Sequence, residues 1–580
     1  GVELLRKVRS DGVNIAYLAA WNGATAVVRF IAEHPDLGPQ FLKIPGPGDT
    51  TVAHVAAHRG DVAMLKYLNN VVGVELLRKL RSDGSTIAYL AAWTGATAVV
   101  RYIAEHPDLG PQFLMIAGPR DNSIAHVAAH RGDVAMLEYL ENVVGVELLR
   151  KARADGVHIA HIAALAGSMD VLRFVTERPV LGLQFVSYPD TNGVTVAHVA
   201  AQRGDVAMLE YLENIVGVEL LRKTRFNGVH IAHAAAMAGS IDVLRFVANN
   251  ADLGPQFLST ADKTGVTVAH LAAECGNLAM LEYLVTVTGV EILKATRSDG
   301  MNAAHVVALK GSIEMLRFVA TTANVGPDFL FAADVNGFTV AHLAALRGNV
   351  AMLEFLENVA GVELLRKVLP DGTSIAHIAS VVGSMDVLDF IAKHPGLGPE
   401  FIRRRLENGD TVALQAAERG DVAMLEYLVK IVGVDLLLQT RCDGANIAHR
   451  GEAVGSLEVL RFVLRHPQLR TRFLEVVADR RTAKVSGAPG SSHVNDDSEQ
   501  AASAGVPGTA EAQCGSAGVA LQDRVPAVTL LRDAHRSALI DIDSVQNVSA
   551  DGDEDWTMQT AVYAQLTTVP VDSVILLADR

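Results

Sequence analysis

The sequence predicts an all-α fold: a right-handed helical-repeat solenoid followed by a largely disordered C-terminal tail. Three observations carry that expectation. The opening heptapeptide, Gly1 to Lys7, returns at Gly73, Gly145, Gly217, Gly289, Gly361 and Gly433, every 72 residues, without insertion or deletion. Self-similarity at a fixed period marks a repeat architecture. Each unit then divides into two similar halves, one with Ile15 to Ala20 ahead of Gly23, the other with Val52 to Ala57 ahead of Gly60. His or its stand-in falls at 17, 54, 89, 126, 161, 198, 233, 270, 305, 342, 377, 414 and 449, which sets thirteen modules of about 36 residues. From Val485 to about Gly518 the helical period gives way to Gly, Ser, Ala and Pro with scattered acids, a composition that cannot bury a core.

Within one module the residues read helix, turn, helix. Thr51 is placed to cap the first helix through its hydroxyl. Val52 to Arg59 is dominated by Ala and Val, small enough for neighbouring helices to approach closely, and Gly60 ends it in the left-handed region. Asp61 opens the second helix with its charge at the positive end. Val62, Leu65, Leu68 and Val72 form its apolar face, with Lys66, Asn69 and Asn70 toward water. Gly73 closes that helix, and Val74 to Lys79 reads as one more short turn. A pair this small has to stack on its neighbours to bury its apolar face. The first two units agree at 59 of 72 positions, so the duplication looks recent and identity between copies says little about need.

These residues resemble the ankyrin repeat, whose motif runs Asp-x-x-Gly-x-Thr-Pro-Leu-His-x-Ala-Ala-x-x-Gly. The nearest copy is Asp334, Gly337, Thr339, His342, Ala344, Ala345 and Gly348, with Met352, Leu353 and Leu356 in the second helix. The resemblance covers roughly residues 9 to 480 and implies a protein-interaction array. In two places the motif is changed, Val340 for its Pro and Ala341 for its Leu. The connector, Leu37 to Leu42 for instance, is longer and more apolar than the family's. Complete projecting β-hairpins are therefore not expected.

The seventh unit loses the code. Arg450, Gly451 and Glu452 stand where the first module has Leu18, Ala19 and Ala20, as suits a terminal module with one face in water. No His motif follows near residue 486, so the domains expected are an array over 1–480 and an acidic low-complexity tail over 481–580. With 50 basic against 65 acidic residues and a net charge of −15, general nucleic-acid binding is not expected. No apolar run is long enough to cross a bilayer. Cys275, Cys442 and Cys514 are widely spaced and fit a reducing, cytoplasmic setting.

The search for chemistry returns little. His54 with His58, and His126 with His130, have metal-ligand spacing on a helix, but Val55 and Val127 stand where a catalytic Glu would follow. The resemblance implies instead that the motif histidines hydrogen-bond between turns. Asp551, Asp553 and Asp555 start like a calcium loop, but Trp556 replaces its Gly. Asn547-Val548-Ser549 is a glycosylation acceptor only in a secreted chain. Neither a Gly-x-Gly-x-x-Gly after a strand nor a Gly-x-x-x-x-Gly-Lys-Ser/Thr loop is present, and no catalytic, cofactor-binding or metal residue is assigned.

The expected function is a non-catalytic scaffold, a monomeric array binding protein partners along the concave face that stacked repeats create. The alternative, a targeting or regulatory subunit whose enzyme precedes Gly1, is motivated by the start inside a motif. Candidate partner-binding residues lie just before the turn glycines, which the family exposes toward its groove. They are Trp21, Trp93, Leu165, Met237 and Leu309 in first halves, continued by Val381 and Ala453. In second halves they are Arg59, Arg131, Arg203, Arg347 and Arg419, with Cys275 at the equivalent place. The apolar row either faces a groove or packs beneath the connector containing Leu37, Pro39 and Phe41; the sequence leaves both open.

Overall fold

A helix of seven or eight residues is too short to be stable alone, so the first helix of each module depends on its caps and its neighbours. The computed structural model describes residues 2–471, apart from Asp11, residues 323–325 and Pro327. Among the described residues there are 38 α-helices and three 3-10 turns, and no strand. Thirteen helix pairs run from Ile15–Trp21 with Thr25–Glu33 to Ile447–Ala453 with Leu457–Arg465. The tail, the boundary at 480, Asn547 and the acidic run at 551–555 lie outside the described residues.

The described chain divides into two units, Gly1–Ala272 and Ala273–Arg580. In the first, the helix Ile15–Trp21 packs on Val52–His58, that on Ile87–Thr94, and so on to Ile231–Met237. In the second, Ala303–Lys310, Val340–Leu346, Ile375–Val382, Val412–Arg419 and Ile447–Ala453 stack in the same way. These helices are packed on both sides, which is why they are nearly all Ala, Val and Ile. Ala53, Ala56, Ala57, Ala125, Ala128 and Ala129 are fully buried. The second helices are longer and one-sided. In Val62–Val72 the buried residues are Met64, Leu65 and Leu68. This corrects the expected face: Met64 replaces Val62 and Val72, which are half-buried near the ends, and Asn69 is half-buried rather than open.

Several motif histidines tie their first helix to the next module. His126 lies at the third position of its helix, where Nδ1 accepts from the Ser123 N–H at 3.2 Å and the Ser123 hydroxyl at 2.7 Å. Nε2 reaches the Val157 carbonyl at 3.2 Å. A carbonyl only accepts, so the ring is the neutral Nε2–H tautomer. The same bridge recurs from His161 to Val194, His198 to Val229 and His233 to Val266. In the second unit it runs from His342 to Lys367 and from His377 to Arg404. Burial lowers the imidazole pKa from 6.5 to about 4 at His54, His126, His342 and His377, and to about 3 at His198.

Each connector folds as a third short helix, such as Gly38–Phe41 or Val74–Arg78. The recurring heptapeptide supplies two buried leucines, Leu76 and Leu77, and an arginine that reaches forward. Arg78 Nη2 donates to the Asp108 carbonyl at 2.6 Å, Arg222 Nη2 to Asp252 at 2.6 Å, and Arg6 likewise to Asp36. In place of projecting hairpins, four-residue turns lie edge to edge. Arg153 N–H closes one turn on Val157 at 2.9 Å, and Thr191 N–H of the next turn donates to the Asp155 carbonyl at 2.9 Å. Gly156, at φ +81°, permits this approach, since a Cβ there would lie 2.8 Å from the Thr191 nitrogen.

At the other end of the array Arg450 is not simply turned to water. It pairs with Asp410 at 3.3 Å and Glu418 at 3.2 Å, while Gly451 is buried and Glu452 exposed. The polar terminal face is therefore partly internal to the last two modules.

Two outcomes follow from these contacts. Gly204 has φ +74°, and a Cβ there would sit 2.9 Å from Ser240 Oγ. Gly204→Val is expected to cost more than about 1 kcal/mol, whereas Lys66→Ala, on an exposed position, stays within about 0.5 kcal/mol; chemical denaturation of the two variants checks this. Because the folded histidine pKa values are depressed, their stabilising contribution is complete above about pH 6.5. It is lost as pH falls toward 4, on the order of 3 kcal/mol for each imidazole shifted to about 4. Melting temperature measured by circular dichroism is expected to be flat above pH 7 and to fall steeply between pH 6 and 4. A profile unchanged down to pH 4 would contradict neutral buried imidazoles.

Candidate interaction surface

Within each unit the C-terminal ends of the first helices come together as a row because the helices stack with their turns aligned. Trp21 is 44% exposed, and Trp93, Leu165, Met237 and Leu309 are half-buried. Val381 is buried and Ala453 exposed. Arg59, Arg131, Arg203, Arg347, Arg419 and Cys275 are all exposed. The connectors lie elsewhere. The short helix Gly38–Phe41 packs against the second helices Thr25–Glu33 and Val62–Val72. Connector rings meet the opposite end of the first helices, with Phe185 4.3 Å from His158 and Phe257 4.4 Å from His230, both N-cap residues.

The two rows are joined by a contact that the sequence reading did not contain. Arg59 Nη1 donates to the Trp21 carbonyl at 2.6 Å, Arg131 to Trp93 at 2.8 Å, Arg203 to Leu165 at 2.6 Å and Arg419 to Val381 at 2.7 Å. Each satisfies a carbonyl in the last turn of a helix, where intrahelical donors run out. The guanidinium also lies against the turn glycine of that helix: a Cβ on Gly23, Gly95 or Gly167 would fall 2.6 to 2.7 Å from Nη2. Arg347 departs from the pattern, and Asn349 Nδ2 supplies the bond to the Gly311 carbonyl at 3.3 Å.

The imidazoles beside the arginines were also missed. His58 stacks on Trp21 with ring centroids 5.8 Å apart at 16°, and His130 on Trp93 at 5.9 Å and 15°. Tyr17 continues the first stack, 6.1 Å from Trp21 at 13°. The available signal was position, since each His precedes its Arg directly and follows its Trp by 37 residues. In later copies the same place holds Gln202, Glu274, Leu346 and Glu418, so the aromatic and cationic character is concentrated in residues 1–203.

The buried histidines offer a metal little. His126 spends both ring nitrogens on its cap and on Val157, and His54 is fully buried while His58 turns to Trp21. Neither His pair therefore presents two open nitrogens on one face. His158 and His161 touch at 4.1 Å between centroids, but His161 Nε2 bonds Val194 and His158 Nε2 faces the Tyr188 carbonyl. What the surface presents is planar rings, guanidinium groups and apolar side chains.

Residues 198–295 match the family model described as ankyrin repeats, in three copies. No curated protein matches the chain. The matched stretch takes in the helix Val196–Arg203 from His198 onward, the capped histidine helix Ile231–Met237, and their second helices Val206–Val216 and Ile241–Asn249. The same helix pair recurs thirteen times among the described residues, and over residues 198–295 the chain is similar to the ankyrin repeat.

Proposed function

We propose that the chain is a non-catalytic protein-interaction scaffold, working as a monomeric array whose partner lies along the row of first-helix C-terminal ends. Ankyrin repeats are in general protein-interaction modules. The observation that carries the reading is the exposed Trp21, and half-buried Trp93, each stacked on a histidine and flanked by an arginine. Trp and Arg dominate interface hot spots because they combine large contact area with directed polar groups. In the first unit Leu165 and Met237 extend the row with apolar contacts and Arg203 extends its charge, and in the second Leu309, Arg347 and Arg419 hold the equivalent positions. We propose further that the array occupies 1–480 and the tail 481–580. A reducing cytoplasmic setting fits the exposed free thiols of Cys275 and Cys442. Among the described residues no helix is long and apolar enough to cross a membrane.

The test separates binding from folding. Trp21→Ala/Trp93→Ala is expected to weaken capture of a purified partner by tenfold or more, about 1.4 kcal/mol, with a nearly unchanged melting temperature, because Trp21 is exposed and Trp93 only half-buried. Unchanged capture with a lowered melting temperature would make the tryptophans packing residues and remove the site.

A further inference from the structure

The arginines of the first unit are held with one edge unused. In Arg59, Arg131 and Arg203, Nη1 is bound to a carbonyl of the preceding module, and Nη2 and Nε lie beside a turn glycine whose missing Cβ, 2.6 to 3.3 Å from them if present, leaves that edge uncovered. Among the described residues, Nε and Nη2 of these three side chains have no hydrogen-bond or ion-pair partner. Nε–H and Nη2–H together form the fork that takes a carboxylate bidentately. The neighbouring acids are engaged otherwise: Asp61, Asp133 and Asp205 accept from the backbone of Met64, Met136 and Met208 at 2.8 to 2.9 Å. A row of three cations without ion pairs is unexpected on a chain of net charge −15, and fixing an arginine beforehand lowers the entropy lost when it binds.

We infer that the first unit binds an extended acidic segment of a partner protein, its carboxylates seated in the forks of Arg59, Arg131 and Arg203 and its apolar residues on Trp21 and Trp93. The inference rests on the proposed interaction face and adds the partner's chemistry and spacing. Successive arginines are two modules apart. Helices in contact lie about 8–10 Å apart, so the forks recur every ~16–20 Å. An extended chain rises about 3.3 Å per residue, which places the partner's Asp or Glu residues about five or six apart, with apolar residues between.

Synthetic peptides of about 17 residues, with glutamates about six apart in an apolar frame, test this against the full chain by fluorescence anisotropy. Matched peptides carry glutamine or phosphoserine at the same places. The glutamate peptide is expected to bind about tenfold or more tightly than the glutamine peptide, and to weaken as salt rises from about 50 to 300 mM. Arg59→Lys/Arg131→Lys/Arg203→Lys keeps the charge and removes the fork; it is expected to lose about tenfold in affinity while the melting temperature reports an intact fold. If the triple variant fails to fold, Arg131→Lys alone gives the same comparison. Equal binding of the glutamate and glutamine peptides, binding of the phosphoserine peptide alone, indifference to the lysine variant, or no binding of the glutamate peptide each overturns the inference. A purified partner that depends on Trp21 and Trp93 but ignores the lysine substitutions leaves the interaction face standing and removes its acidic ligand. A partner that ignores both sets removes the face itself.

Discussion

A neutral imidazole at the third position of most first helices is the constraint on which the array depends. It satisfies a backbone N–H at the start of its own helix and a carbonyl in the following module, as His126 does with Ser123 and Val157. Only the Nε2–H tautomer serves both ends, and only without a second proton. The bridge fixes the distance and rotation between successive modules more tightly than apolar contact alone, which is non-directional. With the register set, Ala and Val suffice between the helices, and larger side chains would hold them apart. Where the motif has Leu414 instead, Thr411 still caps the helix at 3.3 Å, but the link to the next module is gone. That occurs in the twelfth of thirteen modules, and the first and third carry Tyr17 and Tyr89 at the same position.

Much of this was legible in the sequence because it is local. The 72-residue period, its halves, the Thr and Ser caps, the Asp at the second helix and the glycines at positive φ are all decided within a few residues of themselves. The arginine contacts were not legible for the opposite reason. Arg78 reaches a carbonyl 30 residues ahead and Arg59 one 38 residues behind, and nothing nearby says which carbonyls lack donors. The apolar face of the second helix failed in detail for a related reason: Val62 and Val72 have the right period, but they sit at the helix ends, past the reach of the neighbouring first helix.

The candidate surface was half legible. Reading rows across copies found Trp21, Trp93 and the arginines, because aligned turns put equivalent positions side by side. It did not reveal how the rows join, nor that His58 and His130 complete the stacks. The choice left open, groove or cover, depended on which end of the first helix the connector meets. Its rings meet the N-cap end, as Phe185 does at His158, so the turn end is left to the tryptophans and arginines.

The arginine contacts also explain why the repeat is 72 residues long when the structural module is about half that. Arg59, Arg131, Arg203 and Arg419 all belong to second halves and all reach back to the first half of their own unit. First halves have Asn22, Thr94, Ala166 and Val382 at the equivalent place, none of which spans that gap. The next junction is built differently: a Cβ on Gly132, Gly204, Gly348 or Gly420 would face the Ser168, Ser240, Ser384 or Ser456 hydroxyl at 2.9 to 3.2 Å. Arginine over glycine thus alternates with serine beside glycine. A single module could not be duplicated alone without placing two like junctions in succession, one lacking its arginine or its small partner. The unit that can be copied without loss is the pair, and the same alternation spaces the arginine forks two modules apart on the surface.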